Sequence, residues 1–310
     1  MGIVVIGAVF VDVKGYPEAT YIHGGRNAGS VEYTHGGVGR NVAEDIANVE
    51  LRPTFVSLVD TSGSGADVVD KLKNHKVNTN YIRSVHNGMG TWLAIFDSNG
   101  DVTASISQRP DLHPIMQILD EHGDEIFSNA DSVILEIDIE KEIVKRTFAL
   151  AKKYNKKVYA VVSNMSIALE RRDFFQSLDC FVCNRQEAGM MFYDDYENKT
   201  SDEMVDIIAE RVCSARISSM IVTLGADGAV YADMNGLKGW CPARKVEVRD
   251  TTGAGDAFCA GAVIGLTYGK TMEEACRIGS TLSAAVITTY DSVCPRFQPR
   301  ELGLDIDVID

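Results

Sequence analysis

Short apolar stretches alternate with longer amphipathic stretches through the middle of the chain, and this alternation restricts the possible folds more than any other feature. Val133–Ile137 predicts a strand, and Glu140–Tyr154, with apolar side chains at helical spacing, predicts a helix. Further predicted elements are strands at Gly2–Val11, Lys157–Val162, Asp179–Cys183 and Met220–Leu224, and helices at Ser166–Gln176, Arg185–Phe192 and Ser201–Arg216. The strands are apolar on both faces, which is typical of a parallel sheet covered by helices. The pattern therefore predicts a three-layer α/β/α sandwich with a mostly parallel central sheet.

Two regions, residues 13–35 and 90–107, interrupt this alternation. The first is rich in Gly, Tyr and Thr and has no helical periodicity. The second predicts a hairpin in which Thr91–Phe96, a turn at residues 97–100, and Asp101–Ile106 follow one another. We expect both regions to form a small separate sheet that covers the carboxyl ends of the main strands as a lid. The alternative is that they extend the main sheet at one edge.

Acidic side chains outnumber basic ones, 44 against 30, which gives a formal net charge of −14. Proteins that bind nucleic acid or anionic membranes normally present a basic face, so we expect neither partner. The apolar runs are shorter than the roughly 20 residues of a membrane-spanning helix. Seven irregularly spaced cysteines, including Cys180 and Cys183 in an apolar C-x-x-C segment, indicate buried thiols in a reducing cytoplasm. Because no repeat or Pro-rich linker is visible, residues 1–310 are expected to form one domain.

The strongest chemical signal is the segment Asp250–Asp256, which runs directly into an apolar stretch of small residues. Gly253 and Gly255 permit a tight turn with unobstructed N–H groups. A helix that follows would point its positive end at this turn, so the segment predicts an anion site without a basic side chain. Asp256 would then lie beside the bound anion, where a carboxylate is unfavourable unless it accepts a proton. The alternative is that Asp250 and Thr252 only cap the helix.

The sequence contains no complete copy of the other phosphate-binding motifs considered. Residues 265–271 are one residue short of a Walker A loop, and no Rossmann fingerprint is complete. All six histidines lie within the first 122 residues, and none has metal-ligand spacing. A base near the Gly253 turn would therefore be a carboxylate, and Asp256 is the candidate.

His35–Ala43 and Asp250–Asp256 resemble the two signatures of the ribokinase (PfkB) family of sugar and nucleoside kinases, about 210 residues apart and in the expected order. The resemblance covers nearly the whole chain. It implies a ribokinase-like fold, ATP as phosphoryl donor and Mg²⁺ as cofactor. It also implies a small sugar or nucleoside as substrate.

The resemblance implies roles on the substrate side of the site. Asp12 is implied to hydrogen-bond substrate hydroxyls, and Gly37 and Asn41 to hold the sugar. Asp138, or alternatively Glu136, falls where ribokinases place a sugar-binding glutamate. Considered alone, Asp12 could instead be an ordinary turn residue, and Asn41 could be an ordinary residue of a helix.

On the nucleotide side, Asn184 and Glu187 match the N-x-x-E element that organises Mg²⁺ and its waters. The turn that lines the nucleotide site is implied to include Thr223, Gly225 and Gly228. Glu187 alone is equally compatible with a solvated helix face. Because the N-x-x-E element and the turn occur in the order expected of the family, roles at the nucleotide site are favoured.

At the reaction centre, the resemblance implies that Asp256 is the base. The anion hole is implied to consist of the amides of Gly253, Ala254 and Gly255. Asp250 and the carbonyl of Thr252 fall where many members hold a monovalent cation such as K⁺, with the loop at Val286–Pro295 supplying further carbonyls.

Within the family, Val11–Gly15 and Gly36–Glu44 are most similar to the pseudouridine kinase branch, so phosphorylation of pseudouridine is favoured. One alternative is a free-sugar kinase of the ribose or fructose type. Another is a catalytically inactive regulatory protein that binds a sugar or nucleoside. The apolar residues Trp92, Leu93, Ile95 and Phe96 suit a homodimer contact through the lid, or equally packing inside the lid of a monomer.

Overall fold

Two β-sheets and nine α-helices make up the regular structure of residues 2–97 and 102–306, which a computed structural model describes. The strands are β1 (Gly2–Ile6), β2 (Phe10–Pro17), β3 (Gly29–Gly36), β4 (Thr54–Val59), β5 (Ile82–Ser84), β6 (Gly90–Phe96), β7 (Val102–Gln108), β8 (Ala130–Glu136), β9 (Val158–Val161), β10 (Cys180–Asn184), β11 (Ser219–Thr223), β12 (Ala229–Asp233) and β13 (Lys238–Cys241). The helices are α1 (Val38–Asn48), α2 (Gly63–Asn74), α3 (Pro114–Asn129), α4 (Lys141–Tyr154), α5 (Met165–Ala168), α6 (Arg185–Phe192), α7 (Ser201–Ala215), α8 (Ala254–Thr267) and α9 (Met272–Ile287). Short 3₁₀ segments lie at Leu169–Ser177, Gly225–Asp227 and Pro299–Leu302.

The larger sheet has nine strands in the order β13-β12-β11-β10-β9-β8-β1-β4-β5. Its strands from β11 to β5 run parallel, and β12 and β13 add an antiparallel edge. Successive side chains of β1 enter opposite cores, because Ile3 and Val5 belong to one apolar cluster and Val4 and Ile6 to the other. Helices α1, α8 and α9 cover the first cluster, and α3, α4 and α7 the second. The three-layer sandwich predicted from the apolar strands is confirmed.

Most predicted elements agree with the structure to within a few residues, from β8 and α4 through α6, α7 and β11. Cys180 and Cys183 lie buried in β10, as expected for structural thiols. Over the described part of the chain, no helix is both long enough and apolar enough to cross a bilayer.

Two predicted elements are wrong. The run Gly2–Val11 is not one strand: β1 ends at Ile6, and β2 begins at Phe10 in a different sheet. Close packing accompanies the break, since a Cβ at Gly7 would lie 2.9 Å from the Cα of Gly39 in α1. The helix predicted at Ser166–Gln176 is the short α5 followed by a 3₁₀ segment, because Arg171 has non-helical dihedral angles.

The smaller sheet has four strands in the order β3-β2-β6-β7. The β2–β3 and β6–β7 pairs are antiparallel, and β2 pairs with β6 in parallel. Both regions that interrupt the α/β alternation therefore form a sheet of their own and do not extend the larger one. We call it the lid sheet. The turn expected at residues 97–100 lies outside the described residues beyond Asp97.

Candidate active site

The turn before α8 has the geometry of an anion site. Gly253 precedes the helix with φ of +80°, and a Cβ there would lie 1.9 Å from the carbonyl oxygen of Ser292. Glycine is therefore required by both the backbone conformation and the close approach. The space beyond the turn is open, since a Cβ at Gly255 would meet nothing within 4 Å.

The alternative role of Asp250 and Thr252 as helix caps does not fit. Among the described residues, α8 receives no side-chain cap, and the Asp250 carboxylate instead accepts a hydrogen bond from the Thr252 amide at 2.8 Å. The first N–H groups of a helix have no partner within the helix and carry its positive dipole end. The start of α8 can therefore bind an anion with its main chain alone.

Asp256 lies in the first turn of α8, where its carboxylate is partly buried. Asn41 Nδ2 donates a hydrogen bond to Asp256 Oδ2 at 2.7 Å. Burial raises the pKa of Asp256 to about 6, against the lowering effects of Asn41 and Arg40. The charges of Glu187 and Asp12 raise this pKa further, so these acids also lie near Asp256. A carboxyl group that titrates near neutral pH is suited to accepting a proton.

Two adjoining cavities meet at this turn. A cavity of about 200 Å³ has Asn184, Glu187 and Asp256 in its lining. A cavity of about 800 Å³ is lined in part by Gly225, Gly228 and Ala254. Both are also lined by Thr223 and Gly255. The fold thus brings together, on one continuous surface, predicted residues that are up to 72 positions apart in sequence (184 to 256).

Asn184 and Glu187 interlock at the start of α6. The Asn184 side chain accepts a hydrogen bond from the Glu187 amide, and Glu187 Oε2 accepts one from the Asn184 amide, each at 2.8 Å. Burial raises the pKa of Glu187. Glu187 is therefore a partly buried capping residue and not part of a fully solvated face. Its carboxylate and the amide oxygen of Asn184 are hard oxygen donors of the kind that Mg²⁺ prefers, so the residues fit this ion.

The lid sheet contributes Asp12, which lies on β2 opposite Thr34 of β3 and Trp92 of β6. Burial raises the pKa of Asp12, and the charges of Lys14 and Arg40 oppose this rise. A Cβ at Gly36 would lie 2.3 Å from Asp12 Oδ1, so the end of β3 packs directly on this carboxylate.

Gly37 precedes α1 with φ of +98°, and a Cβ there would lie 2.7 Å from the carbonyl oxygen of Ala8. Its own carbonyl accepts a hydrogen bond from the Asn41 amide at 2.9 Å. The side chain of Asn41 is thereby held on the first turn of α1, beside Asp256. Asn41 is thus both an ordinary helical residue and a partner of the candidate base.

The carboxylate of Asp138 is less available for hydrogen bonds to a substrate than the sequence suggests. Its carboxylate accepts hydrogen bonds from the Ser163 amide at 2.9 Å, the Asn164 amide at 3.1 Å and Arg109 Nη1 at 3.0 Å. The alternative, Glu136, is also buried and accepts a hydrogen bond from the Ala8 amide at 2.9 Å. Burial and the charge of Asp138 raise the pKa of Glu136 to about 8. A substrate hydroxyl at Asp138 would compete with three protein donors.

The segments proposed for a monovalent cation lie side by side. The Arg249 amide donates to the carbonyl of Ile287 at 2.7 Å, and Ser292 packs on Gly253. This juxtaposition brings Asp250 and Thr252 next to the loop at residues 286–295. The coordination of K⁺ by these residues stays a prediction.

Sequence reasoning missed Arg109, Arg40 and Ser292. Nothing in the sequence around Arg109 indicates a role in the site, because it is an isolated cation after a predicted hairpin. Arg40 stands among small and apolar neighbours, Val38, Gly39, Val42 and Ala43, which was a usable signal of a buried role. Ser292 comes next to Asn41 only through a contact across 251 positions.

Known proteins resemble this chain over nearly its whole length. A sequence model of the "pfkB family carbohydrate kinase" matches residues 2–295. Guanosine-inosine kinase from Exiguobacterium acetylicum is 31% identical over 292 residues, which cover 94% of this chain and 95% of that protein. Pseudouridine kinase from Escherichia coli strain K12 is 24% identical over 288 residues, covering 92% and 90%. The structure of Arabidopsis thaliana ribokinase complexed with ribose and ATP matches with a TM-score of 0.81 at 22% identity, covering 97% of this chain and 98% of that one.

Proposed function

The chain belongs to the pfkB family of carbohydrate kinases, and from this premise we propose that it transfers the γ-phosphoryl group of ATP to a primary hydroxyl of a nucleoside. Membership makes it a phosphotransferase with an alcohol group as acceptor, acting on a nucleoside or a sugar. The nucleoside, the catalytic base and the bound ions belong to the proposal. The observation that carries it is a carboxyl group of raised pKa, Asp256, held by Asn41 at the uncapped start of α8.

Phosphoryl transfer requires an aligned nucleophile, neutralisation of the phosphate charge and exclusion of water. In the proposed reaction Asp256 accepts the proton of the attacking hydroxyl, and Asn41 fixes the orientation of its carboxylate. The amides of Gly253 and Gly255 donate hydrogen bonds to the oxygens of the transferring group. The Ala254 amide joins them once it gives up its hydrogen bond to the Thr251 carbonyl, which is 3.2 Å long. The positive end of α8 stabilises the charge that develops there.

The cavity of about 800 Å³ is proposed to bind ATP, with Thr223, Gly225 and Gly228 in its lining. The phosphates would point toward Gly255, where the two cavities meet. Mg²⁺ held through Asn184 and Glu187, directly or through water, would supply positive charge beside the phosphates. The two residues already fix each other's orientation through the capping box.

Two further parts of the proposal concern the surroundings of the turn. Asp250 and the Thr252 carbonyl are proposed to bind K⁺, which would brace the turn. The lid sheet is proposed to close over the substrate and exclude water as a competing acceptor. Residues 1–310 are proposed to act as one domain with strands inserted for the lid at about 13–35 and 90–107.

Aromatic side chains on the lid favour a nucleoside over a free sugar. Trp92 and Asp12 are paired residues and therefore share a face of the lid sheet. On the same face, the ring of Tyr16 stacks on Phe96 at a centroid distance of 4.9 Å, and Phe96 meets Trp92 edge-on at 6.4 Å. Stacking on an aromatic ring contributes about 1–3 kcal/mol per nucleobase. A free sugar offers no base to this surface.

We choose the candidate nucleosides from the names of the related kinases and their sequence identity to this chain. The one that is 31% identical is a guanosine-inosine kinase, and the one that is 24% identical is a pseudouridine kinase. We therefore place guanosine and inosine first, and retain pseudouridine, which the sequence motifs favour, as the second candidate.

Coupled ADP-release assays with guanosine, inosine, pseudouridine, uridine, adenosine, ribose and fructose test this proposal. We expect kcat/KM for the preferred nucleoside to exceed that for ribose by about tenfold or more, since stacking adds binding energy that a sugar lacks. Trp92→Ala should raise KM for the nucleoside, whereas Leu93→Ala, on the opposite face, should not. A free sugar with equal or higher kcat/KM would reject the nucleoside assignment. Lack of turnover on every compound would favour the inactive regulatory protein.

The proposed homodimer contact needs a correction. Trp92, Leu93, Ile95 and Phe96 do not form one edge, because successive residues of β6 face opposite sides. Leu93 lies on the outer face, in one row with Val13, Tyr33 and Ile106. Tyr33 is 73% exposed, Ile106 69% and Leu93 40%. Contiguous exposed apolar side chains mark interaction surfaces, and we propose that a second copy of this chain covers this row.

Sedimentation velocity tests the homodimer. We expect the wild-type protein to sediment as a dimer and Ile106→Asp as a monomer, because an unpaired carboxylate is costly in an apolar interface. Ile22→Asp is a suitable control, since Ile22 is 61% exposed but lies outside the strands of the lid sheet. A monomeric wild-type protein at micromolar concentration would reject the contact.

A further inference from the structure

Arg40 is a buried cation with no role in the reaction described above. It lies on the first turn of α1, its side chain is 1% exposed, and it is among the largest fully buried side chains of the described residues. Burying a guanidinium is costly unless each of its donors finds a partner. The positions of those partners indicate why an arginine is there.

The guanidinium reaches three parts of the chain. Arg40 Nη1 pairs with Glu44 Oε2 at 2.6 Å on the same helix. Nη2 donates a hydrogen bond to the carbonyl of His35, and Nε donates one to the carbonyl of Gly36 at 3.4 Å. Both carbonyls lie at the end of β3 in the lid sheet. Nη2 also donates to Ser292 Oγ at 3.3 Å, in the loop after α9. A planar fork with five donors can satisfy such a set, whereas lysine cannot.

Two of these partners, Gly36 and Ser292, touch groups of the proposed reaction centre. Gly36 packs on the carboxylate of Asp12, and the carbonyl of Ser292 packs on Gly253, the residue before α8. Ser292 Oγ also donates to Asn41 Oδ1 at 3.4 Å, and Asn41 in turn donates to Asp256. The guanidinium therefore stands at the junction of the lid, the anion-binding turn and the candidate base.

We propose that Arg40 is a positioning residue that holds Asp256, the Gly253 turn and the end of β3 in their relative places through Ser292 and the carbonyls of His35 and Gly36. The inference rests on the proposed role of Asp256 as base. Arg40 itself touches neither the base nor the anion-binding amides, so it acts through these partners. A purely structural alternative is that Arg40 and Glu44 only stabilise α1.

A change at Arg40 also alters the charge near Asp256. Arg40 lowers the pKa of Asp256, and its removal is expected to raise that pKa. The other charged or titratable groups that influence Asp256, or are influenced by it, are Asp12, Asp45, Glu136, Glu187 and Cys259. These groups are present in every variant described below, so they do not account for a difference between variants.

The test compares kcat, KM for ATP and the pH dependence of kcat/KM in the double variant Arg40→Met/Glu44→Leu. Both charges are removed because a buried ion pair with one missing partner strongly destabilises a fold, whereas apolar replacement of both is often tolerated. We expect kcat to fall by about 100-fold, the effect of a misplacement near 1 Å, with KM for ATP unchanged. The acid limb of the pH profile should move to higher pH. Arg83→Met/Glu121→Leu removes an exposed ion pair and serves as the matched control with wild-type kinetics.

Ser292→Ala tests the same connection without disturbing the ion pair. We expect kcat to fall by about tenfold, with an unchanged melting temperature, because one hydroxyl that links Arg40 to Asn41 is lost. The effect of Ser292→Ala should be smaller in the Arg40→Met/Glu44→Leu background, since the two changes act on one connection.

Three results would overturn the inference. The first is kinetics of the double variant within twofold of wild type. The second is a loss of activity in proportion to the loss of folded protein, while the acid limb of the kcat/KM profile stays at the wild-type pH. The third is wild-type turnover of Ser292→Ala. Asp256→Asn separates this failure from failure of the proposed function. If Asp256→Asn is inactive while these variants behave as wild type, only the role of Arg40 is rejected.

Discussion

Replacing Asp256 with asparagine is expected to reduce kcat by about 10³- to 10⁴-fold, the upper range for removal of a general base. Asparagine has nearly the same shape, and Asn41 can rotate its amide to keep a hydrogen bond to the new side chain. The affinity for ATP should therefore stay near wild type, because the cavity proposed for ATP is lined by other residues. Steady-state kinetics and a nucleotide-binding isotherm measure the two quantities separately.

The pH dependence of the wild-type enzyme provides a second measurement of the same group. Asp256 must be deprotonated to accept a proton, and its pKa is raised to about 6. We expect kcat/KM to fall as the pH drops below this value. A raised carboxyl pKa also means that folding favours the protonated form, so the stabilising contribution of Asp256 is lost as pH rises through about 6. The melting temperature of Asp256→Asn at pH 7 should accordingly be no lower than that of wild type.

Asp206→Asn is the control for this experiment, because Asp206 is exposed, pairs with Lys238 and lines neither of the two cavities. Its kinetics should match wild type. Turnover of Asp256→Asn within tenfold of wild type would contradict the role of Asp256 as base and require another proton acceptor.

Gly253→Ala is expected to lower kcat by at least about 100-fold, comparable to the loss of one preorganised donor at a developing negative charge. The new Cβ would lie 1.9 Å from the carbonyl oxygen of Ser292, which no real contact permits. The turn, the loop at Ser292 or both must move, and the amides at the start of α8 move with them. The melting temperature should fall as well.

The chain contains a matched control for backbone strain. Gly269, just after α8, has φ of +81°, almost the same as +80° at Gly253, but a Cβ there would meet nothing within 4 Å. Gly269→Ala should therefore carry only the cost of a left-handed alanine, about 1–2 kcal/mol, with normal kcat. If both variants lose stability equally and both retain activity, close packing of Gly253 on Ser292 does not matter for the reaction.

Local patterns in the sequence predict the layers of the fold and the tight turn before α8, because their causes are local. The alternation of apolar and amphipathic stretches determines which segments form strands and helices. The glycines around Asp256 determine the turn within seven residues, Asp250–Asp256. The interruption at Gly7–Val9 depends instead on how closely β1 passes α1, which no local pattern contains.

The rest of the site depends on contacts between distant parts of the chain. Asn41 and Asp256 are 215 positions apart, and their hydrogen bond could be anticipated only by resemblance to a family. Asp138 is predicted to contact the substrate, which no pattern contradicts, but its protein partners, the amides of Ser163 and Asn164 and the guanidinium of Arg109, could not be anticipated. The partners of a buried charge are chosen by tertiary packing, so the residue type alone did not reveal them.

The groups proposed to bind the anion at the start of α8 belong to the main chain, and this has a consequence for evolution. Main-chain amides are the same whichever residue occupies the position, so the site tolerates exchange of side chains such as that of Ala254, whose amide would be unchanged. No lysine or arginine needs to be kept there to hold the phosphates. Descendants of such an enzyme can therefore become more acidic or more basic over the rest of their surface, as salinity or solubility demands, while the chemistry of the turn stays the same.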